Sequence, residues 1–373
     1  MRSDEVSRTG ARVGVGLAAI VLLVLLAFPS AGAEVRYRVT EIGTLGGDES
    51  GATGVNASGQ VCGTATDASG VEHTFLWEDG TMTDLHWNAS WDFSMGADIN
   101  RHGMVAGWAH VSTNTTGKLW NTNAGTVEDL GMPTGAVGSF AEAVNDDNVV
   151  VGVYHTERFT YPCRAYVWTS LGGIQDIGTL GGDEAAARDI NSSNQITGWS
   201  LTSSGERHVF LYQNLSWQDL GSFGGPECNG LGINDAGEIV GWAEIDNGDR
   251  HAFFWGGSGP LQDIGTLGGP QSQAMRINSL GEAVGWAEID NGEKHAFLYS
   301  GGAMIDLNDL IPEDSGWLLE NARDINDDGW IAGSGTIGGQ THAWMLTPIP
   351  EPATVSTLLL GVGVLGLLRR RRT

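Results

Sequence analysis

Apolar and polar residues alternate along this chain in short runs, and the runs recur with a period in the forties. The fixed point of each repeat is an asparagine, preceded by a β-branched residue and followed seven residues later by a glycine. The seven copies are spaced 43 to 48 residues apart: Asn56, Asn100, Asn145, Asn191, Asn234, Asn278 and Asn326. Alternation predicts strands, and a period of this length is typical of β-propeller blades.

Each repeat carries the pattern of four strands. Only glycine or alanine stands four residues before the asparagine, which predicts an innermost strand where neighbouring repeats crowd together. Glycine or asparagine stands three residues after it, and both readily adopt positive φ. The recurrent asparagine is therefore predicted to close a tight turn rather than to bind a ligand. Three further runs, in the fifth repeat Ile239 to Gly241, His251 to Trp255 and Leu261 to Ile264, predict the other strands.

The last repeat lacks a fourth strand, because its pattern ends at His342 to Leu346. An unmatched strand-like run stands at residues 37 to 47, and its Ile-Gly-Thr-Leu-Gly-Gly ending recurs at residues 177 to 182 and 264 to 269. We therefore predict an all-β fold, a seven-bladed β-propeller of four-stranded antiparallel blades. The N-terminal strand would complete the last blade and remove the open edges of a linear array.

Both termini carry apolar segments outside the repeats, and we predict that both are helical. Residues 13 to 29 are apolar behind a weakly basic start, and Ala31 and Ala33 supply the small-residue pattern of a signal cleavage site. This pattern predicts a cleaved secretory signal, with an uncleaved membrane anchor as the alternative. At the other end, Pro350, Glu351 and Pro352 precede a short apolar run and four arginines. That run, residues 355 to 368, would span about 21 Å as a helix, less than the ~30 Å hydrocarbon core of a bilayer.

The C-terminal tail resembles the PEP-CTERM sorting signal of Gram-negative bacteria over its last 26 residues. The resemblance implies secretion across the inner membrane, transient membrane insertion, processing by an exosortase-type enzyme as partner, and delivery to the cell surface or extracellular matrix. Such proteins are often found in organisms that make exopolysaccharide. An ordinary C-terminal anchor is the alternative. The predicted domains are a signal peptide at 1–33, the propeller at 34–347 and the sorting and transmembrane segment at 348–373.

The repeats are similar to the HAF repeats of bacterial extracellular proteins, named for His-Ala-Phe. Residues 251–253 and 295–297 match literally, whereas Lys118 and Arg164 replace the histidine in the second and third repeats. The resemblance spans about residues 40 to 346 and implies an architecture without an activity. Because each histidine begins the same strand of a different repeat, we expect a common structural contact rather than a metal or catalytic site.

Charge and cysteine content exclude some functions. The net charge is −26, and because the two ends are positive the body carries −30, so nucleic acid is not an expected partner. Cys62, Cys163 and Cys228 fall at unrelated points of the repeat without metal-ligand spacing. They are predicted to be small buried residues.

Two candidate sites consist of acidic residues. Asp324, Asn326 and Asp328 fit the first half of a calcium loop, although Gly335 stands where a bidentate glutamate belongs, and the alternative is an ordinary turn. We predict no cofactor, with Ca²⁺ as the one alternative. The loops between second and third strands vary, and they share an edge with the connections between repeats. They define a predicted ligand face, with plain solvated turns as the alternative: Asp183, Glu184, Asp246, Asp249, Asp290 and Glu293.

The sequence contains no nucleophile elbow, phosphate loop or paired serine and histidine, so no catalytic residue is predicted. The favoured function is a non-enzymatic surface or matrix protein that binds extracellular glycan or another surface protein. One alternative is a secreted polysaccharide-acting hydrolase, which needs two carboxyl groups about 5 to 10 Å apart. The other is a purely structural coat component.

Overall fold

A computed structural model describes residues 37–157 and 162–350, which form β-strands and two short 3-10 helices. The predicted signal segment with Ala31 and Ala33, Glu351 and Pro352 of the sorting motif, and both predicted apolar helices lie outside the described residues. Pro350 is described and lies beyond the last strand, in an exposed position. Within the described ranges, no helix is long and apolar enough to cross a membrane.

The strands are numbered in chain order. The first thirteen are β1 (Tyr37–Gly43), β2 (Gly46–Val55), β3 (Val61–Asp67), β4 (Glu72–Glu78), β5 (Thr81–Asp84), β6 (Phe93–Ile99), β7 (Met104–Val111), β8 (Asn114–Asn121), β9 (Thr126–Gly131), β10 (Gly138–Val144), β11 (Val150–His155), β12 (Cys163–Thr169) and β13 (Gly173–Gly178). The rest are β14 (Gly181–Ile190), β15 (Ile196–Thr202), β16 (Arg207–Gln213), β17 (Ser216–Gly221), β18 (Cys228–Ile233), β19 (Ile239–Glu244), β20 (Arg250–Trp255), β21 (Gln262–Gly265), β22 (Gly268–Ile277), β23 (Ala283–Ile289), β24 (Lys294–Ser300), β25 (Ala303–Asp306), β26 (Trp317–Ile325), β27 (Ile331–Ile337) and β28 (Gln340–Pro348). The 3-10 helices are Leu307–Leu310 and Glu313–Ser315.

The predicted fold class is wrong, because the strands of the described residues form six sheets rather than seven separate four-stranded ones. Five sheets have four strands each, whereas repeats 2 and 3 share one eight-stranded sheet, β6 to β13. The two repeats merge because the β7–β8 hairpin is long enough to bring Thr115 of β8 into parallel pairing with Gly138 of β10. Repeats are numbered here by their asparagines, from Asn56 in repeat 1 to Asn326 in repeat 7.

The N-terminal strand belongs to the sheet of the last repeat. β1 pairs antiparallel with β28, from Tyr37 opposite Pro348 to Gly43 opposite Ala343, and β28 continues to β27 and β26. Tyr37 and Ile42 are buried in this pairing. The two ends of the described chain therefore hold each other in one sheet.

The seven recurrent asparagines form a closed ring of hydrogen bonds. Each side-chain Nδ2 donates to the backbone carbonyl of the next asparagine at 2.9 to 3.2 Å, and Asn326 returns to the carbonyl of Asn56. Each Oδ1 accepts backbone N–H groups of its own turn, as in Asn191, where the donors are Ser193 and Gln195. All seven side chains are buried. The ring satisfies the hydrogen-bonding groups of the seven turns, and it joins the first strands of all repeats around one axis.

Every first strand carries a bulge two to four residues before its asparagine, seen as a register shift in all seven repeats. Aspartates beside three of these bulges reach across to the next repeat. Asp98 accepts from the N–H of Val144, Asp189 from Ile233 and Asp324 from Val55, at 2.7 to 2.9 Å. The residue preceding each of those N–H groups is small, Ala143, Gly232 or Gly54. A side chain at Gly54 or Gly232 would meet the backbone of the following repeat, at Ile99 or at Arg276.

These axial aspartates predict a pH dependence of stability. Burial raises the pKa of Asp189 to about 6 and that of Asp324 to about 7, with Arg276 opposing both shifts. A carboxyl group whose pKa is higher in the folded than in the unfolded state binds more protons when folded, so its contribution to stability falls as pH rises. We expect a double variant, Asp189→Asn with Asp324→Asn, to lose the part of the pH dependence that lies between pH 4 and 7. Denaturant unfolding at pH 4.5, 6 and 8 measures it, and an unchanged pH profile in the variant would contradict the assignment.

The hydrophobic core lies between neighbouring sheets. The cluster between repeats 7 and 1, for example, joins Phe75 and Val61 to Ala343 and Met345, with Ile42 of β1 among them. A large aromatic side chain of the third strand is fully buried in all seven repeats: Phe75, Trp120, Tyr166, Phe210, Phe253, Phe297 and Trp344. Because each sheet packs against two others, every cluster depends on the ring being complete.

Candidate functional site

The recurrent histidines hold the third strand to the fourth. The residue at this position is cationic or a histidine in all seven repeats, and it contacts an acidic residue of the neighbouring strand at 2.5 to 3.0 Å. The pairs are His73–Asp84, Lys118–Asp129, Arg164–Asp176, His208–Asp219, His251–Asp263, His295–Asp306 and His342–Glu41. The last acidic residue comes from β1. These contacts are spread around the ring, one to a repeat, and they build the sheets rather than a shared site.

Three of the tryptophans that follow the recurrent glycine are covered by cations. Arg207 stacks on Trp199 at 3.8 Å, Arg250 on Trp242 at 4.2 Å and Lys294 on Trp286 at 3.9 Å. Trp199 and Trp242 are buried, and Trp286 is half-buried. An indole face that already carries a cation is not open to a sugar ring. These tryptophans therefore do not form a stacking platform.

Four residues of the predicted ligand face lie in two tight turns. Asp246 and Asp249 belong to the turn between β19 and β20, where Asn247 bonds to the carboxylate and the N–H of Asp249. Asp290 and Glu293 belong to the matching turn of repeat 6, where Asn291 bonds to Glu293 in the same way. Neither turn contacts the other residues of the predicted face. The hydrogen bonds of Asn247 and Asn291 stabilise the turns to which these residues belong.

The other two residues of that face take part in a small cluster between repeats 4 and 5. The Arg207 guanidinium donates to the Glu227 carboxylate. The charges of both groups act on the Glu184 carboxyl group. Burial raises the pKa of Glu184, Arg207 opposes this, and the carboxylates of Asp183 and Glu227 raise it further. The backbone carbonyl of Asp183 accepts from Arg164 of the preceding repeat. Glu184 of the predicted face therefore has two neighbouring carboxyl groups, that of Asp183 and that of Glu227 in the next repeat.

The residues of the predicted calcium loop have other partners. Asp324 accepts the N–H groups of Val55 and of its own neighbour Ile325, and Asn326 is a member of the asparagine ring. The Asp328 side chain is exposed, and its backbone N–H donates to Asn326. Across residues 37–157 and 162–350, no group of three or more His, Cys, Asp or Glu side chains could hold a metal ion. The Ca²⁺ site stays a prediction that these contacts do not favour.

The regular pattern breaks at a cleft where repeats 2 and 3 meet. The cleft has a volume of about 400 Å³ and opens among the loops between second and third strands, on the edge where a ligand face was predicted. Its walls come from the β7–β8 hairpin, the start of β10 and the end of β11. The lining residues are His110, Ser112, Thr113, Thr115, Val137, Gly138, Phe140, His155 and Glu157.

Hydroxyl groups and aromatic rings face each other across this cleft. His110 Nδ1 lies 2.9 Å from Thr115 Oγ1, and the His110 ring stacks on Phe93 at 5.1 Å. Phe140 meets the His155 ring edge to face at 5.4 Å. Burial and the positive charge of Arg188 lower the pKa of His155, against the effect of Glu142, and so favour its neutral imidazole. A neutral imidazole can both donate and accept a hydrogen bond.

The turn of the β7–β8 hairpin is held in an unusual conformation. Ser112 adopts a positive φ of 54°, and its N–H donates to the Asp92 carboxylate at 2.6 Å. A non-glycine residue with positive φ at the tip of a hairpin is uncommon and costs backbone energy that a specific contact must offset. The sequence signal for this cleft was a departure from the repeat at residues 109 to 117, which carries neither the charge nor the motif of a known site.

The C-terminal tail matches a known family description, the PEP-CTERM protein-sorting motif, over residues 348–372. The motif indicates export in Gram-negative bacteria with surface or extracellular association, and it is a sorting signal recognised by an exosortase. No curated protein matches the chain by sequence.

Solved structures resemble the ring of sheets. An oligogalacturonate lyase, solved in complex with manganese, is 13% identical and has a TM-score of 0.58, with 86% of this chain and 95% of that one covered. The acylaminoacyl peptidase of Pyrococcus horikoshii is 10% identical with a TM-score of 0.52 and coverage of 83% and 54%. TolB of Acinetobacter baumannii is 11% identical with a TM-score of 0.46 and coverage of 78% and 64%. This chain thus spans less than two thirds of the peptidase and of TolB. These neighbours are β-propeller proteins, and at such low identities the likeness of the lyase and the peptidase shows the fold alone.

Proposed function

We propose that this exported protein is a non-enzymatic binding module of the cell surface, and that it takes a neutral extracellular glycan in the cleft between repeats 2 and 3. The observation that carries the proposal is the cleft itself, where three hydroxyl side chains lie beside Phe140 and two histidines. Its volume of about 400 Å³ falls in the range of small-ligand sites. The sorting motif delivers the chain to a place where glycans are found.

The chemistry of the cleft suits a sugar better than a charged ligand. Sugars combine C–H faces that pack on aromatic rings with hydroxyl groups that both donate and accept hydrogen bonds. Phe140 supplies the ring, and Ser112, Thr113 and Thr115 supply hydroxyl partners. The side of the cleft at Glu157 and the acidic body around it disfavour anions. A surface protein, rather than a free glycan, remains the other partner class for the same loops.

A glycan array tests the proposal with the exported protein, and Thr115→Val is the informative variant. Valine keeps the shape of threonine but removes the hydroxyl group that contacts His110. We expect a neutral glycan to bind and the variant to lose at least tenfold in affinity, because an unmatched polar group in a binding site costs about 1 to 3 kcal/mol. His102→Ala, at an exposed turn outside the cleft, is the control and is expected to bind normally. No glycan binding, or equal binding by the Thr115 variant, would count against the proposal.

A polysaccharide-acting hydrolase is the second candidate, supported by one observation. The raised pKa of Glu184 is the property that a general acid requires, and Glu227 is a neighbouring carboxylate. The Arg207 ion pair with Glu227 weakens this interpretation, because a paired carboxylate is a poor base or nucleophile. Release of reducing sugar from polysaccharide, abolished in Glu184→Gln, would favour the hydrolase over the binding module.

The division into a signal peptide at 1–33, a repeat body at 34–347 and a sorting segment at 348–373 is part of the same proposal. It is supported by the motif match at one end and by β1 and β28, which set the limits of the sheets at Tyr37 and Pro348. The similarity to HAF repeats and a link to exopolysaccharide likewise stay predictions. A structural coat would require self-association, which size-exclusion chromatography of the processed protein measures.

A further inference from the structure

The loop from β5 to β6, residues 85–92, lies at the same end of the sheets as the cleft. Strands of one repeat run antiparallel, so the loops from second to third strand share an end with the connections between repeats. The asparagine turns lie at the other end. Three other connections between repeats, residues 44–45, 179–180 and 266–267, have two residues each. Loop 85–92 is therefore an insertion relative to the shortest form of this connection.

Trp87 stands in this loop with its ring open to solvent. It is 38% exposed, the largest value among the fourteen tryptophans, which all lie within the described ranges. Its indole Nε1 donates to the backbone carbonyl of Asp84 at 3.1 Å, so the polar edge of the ring already has a partner. Trp199, Trp242 and Trp286 are covered by cations, whereas no Lys or Arg of the described residues lies over Trp87. Trp87 therefore presents an apolar surface that the packing of the repeats does not use.

Side-chain contacts hold loop 85–92 in place. His86 Nε2 lies 3.2 Å from the carbonyl oxygen of Trp91, and His86 Nδ1 lies 3.1 Å from Ser94 Oγ. The His86 ring also stacks on that of His73 in β4, with 3.9 Å between the ring centroids. A binding surface that is already ordered loses less conformational entropy when a ligand packs on it.

The end of the loop is bonded to the wall of the cleft. Asp92 N–H donates to the carbonyl of His110 at 2.8 Å, and the Asp92 carboxylate accepts from Ser112 N–H at 2.6 Å. Both His110 and Ser112 line the cleft. Residues 88–91 form a β-turn, in which the last N–H donates to the first carbonyl at 3.0 Å. Such a turn keeps its end Cα atoms within about 7 Å, so those of Trp87 and Asp92 lie within about 15 Å of each other.

Aromatic residues that depart from the repeat are concentrated beside this loop. Seven residues before its asparagine, only repeat 2 has an aromatic residue, Phe93, and five residues before, only repeat 3 has one, Phe140. Phe93 stacks on His110 at 5.1 Å, and Phe140 meets His155 edge to face at 5.4 Å. The cleft and the exposed Trp87 ring therefore belong to one aromatic sector of this face.

We propose that Trp87 is a second sugar subsite, and that the ligand of the cleft is a neutral linear glycan of several sugar units that extends along loop 85–92. The inference rests on the proposed function, because the cleft supplies the first subsite. Sugar rings present C–H faces that pack on an indole, and a linear glycan repeats such faces along its length. Asp84 and Asp92, both exposed, flank Trp87 and disfavour an anionic chain.

Calorimetric titration of the exported protein with neutral glucans of two lengths tests the inference. Cellobiose with cellohexaose is one pair, and laminaribiose with laminarihexaose is the other. We expect one hexaose to bind at least tenfold more tightly than its biose, because it reaches both subsites at once. Trp87→Ala should lower the affinity for the hexaose about tenfold, to that of the biose, and leave the affinity for the biose unchanged.

Three further variants separate the subsite from the fold and from the cleft. Trp87→Phe keeps an aromatic ring and should retain most of the affinity for the hexaose. Leu171→Ala is the matched control, because Leu171 is an exposed apolar residue in the β12–β13 turn at the other end of the sheets, and it should bind both lengths normally. Thr115→Val in the cleft should weaken the binding of both lengths.

The outcomes distinguish failure of the subsite from failure of the proposed function. Equal affinities for biose and hexaose, or a hexaose affinity that Trp87→Ala leaves unchanged, would overturn the Trp87 subsite while the cleft stands. Loss of biose binding in Trp87→Ala would also overturn it, because Trp87 would then support the cleft itself. Absence of binding by all four glucans counts against the glycan function, and the subsite fails with it.

Discussion

Deletion of residues 34–45 abolishes the cooperative fold, because this segment carries β1, the fourth strand of the last repeat. Its removal exposes one full edge of β28 and uncovers the cluster that contains Ile42, Phe75 and Met345. Burial of Tyr37 and Ile42 alone contributes about 2 to 3 kcal/mol each. The whole stability of a domain is only about 5 to 15 kcal/mol, so the truncated chain should be unfolded or aggregated. Circular dichroism and size-exclusion chromatography measure the result.

A rearranged chain distinguishes loss of the strand from loss of the terminus. Tyr37 lies directly opposite Pro348, so an Asn-Gly turn can join the end of β28 to the start of β1 as a hairpin. In the rearranged chain, Gly46 is the first residue, and residues 37–45 follow the new turn after Pro348. We expect this chain to fold, with a melting temperature within a few degrees of that of the parent protein. If the truncated protein melts cooperatively near the parent temperature, β1 does not hold the ring together.

Substitution of one ring asparagine has the second largest effect, and Asn191→Ala is the clearest case. The Asn191 side chain is 4% exposed and makes four hydrogen bonds, to Ser193 N, Gln195 N, Gln195 Oε1 and the carbonyl of Asn234. Alanine leaves these groups without their partner in a buried turn, at about 1 kcal/mol for each bond. We expect a loss of about 3 to 4 kcal/mol in the free energy of unfolding, measured by urea denaturation.

The matched control is Asn247→Ala, in an exposed turn. Asn247 also bonds through both of its side-chain atoms, but both bonds go to Asp249 of the same turn, within reach of water. Its substitution should cost less than about 1 kcal/mol. Equal losses for the two variants would mean that the ring contributes no more than an ordinary surface turn.

The sequence predicted where each residue lies within its repeat, but it did not predict the contacts between repeats. The period located the asparagines, the strands and the small residues of the first strand, since these depend on neighbours within about ten residues. The sequence also shows that Asp98, Asp189 and Asp324 are each followed, one repeat later, by a small residue at the same position of the repeat. The meaning of this pattern required the bulges, because a bulge redirects a side chain from the sheet face toward the axis.

The candidate sites divide in the same way. The predicted ligand face rested on loop variability and acidity, and the structure leaves most of its residues in two separate tight turns. The cleft was hidden because His110 and Phe140 are 30 residues apart and belong to different repeats, so that only the parallel pairing of Thr115 with Gly138 brings their walls together.

The sequence by itself determined the repeat, the all-β character, the strand at residues 37 to 43 left over for the last repeat, and the sorting tail that indicates export. These are local properties: a period, an alternation, a motif. The tertiary structure alone decided how many sheets form, which side chains close the asparagine ring, and where cavities open. The physical reason is that sheet merging, ring closure and charge pairing are interactions between repeats, and their energies depend on the angle and distance at which one repeat meets the next.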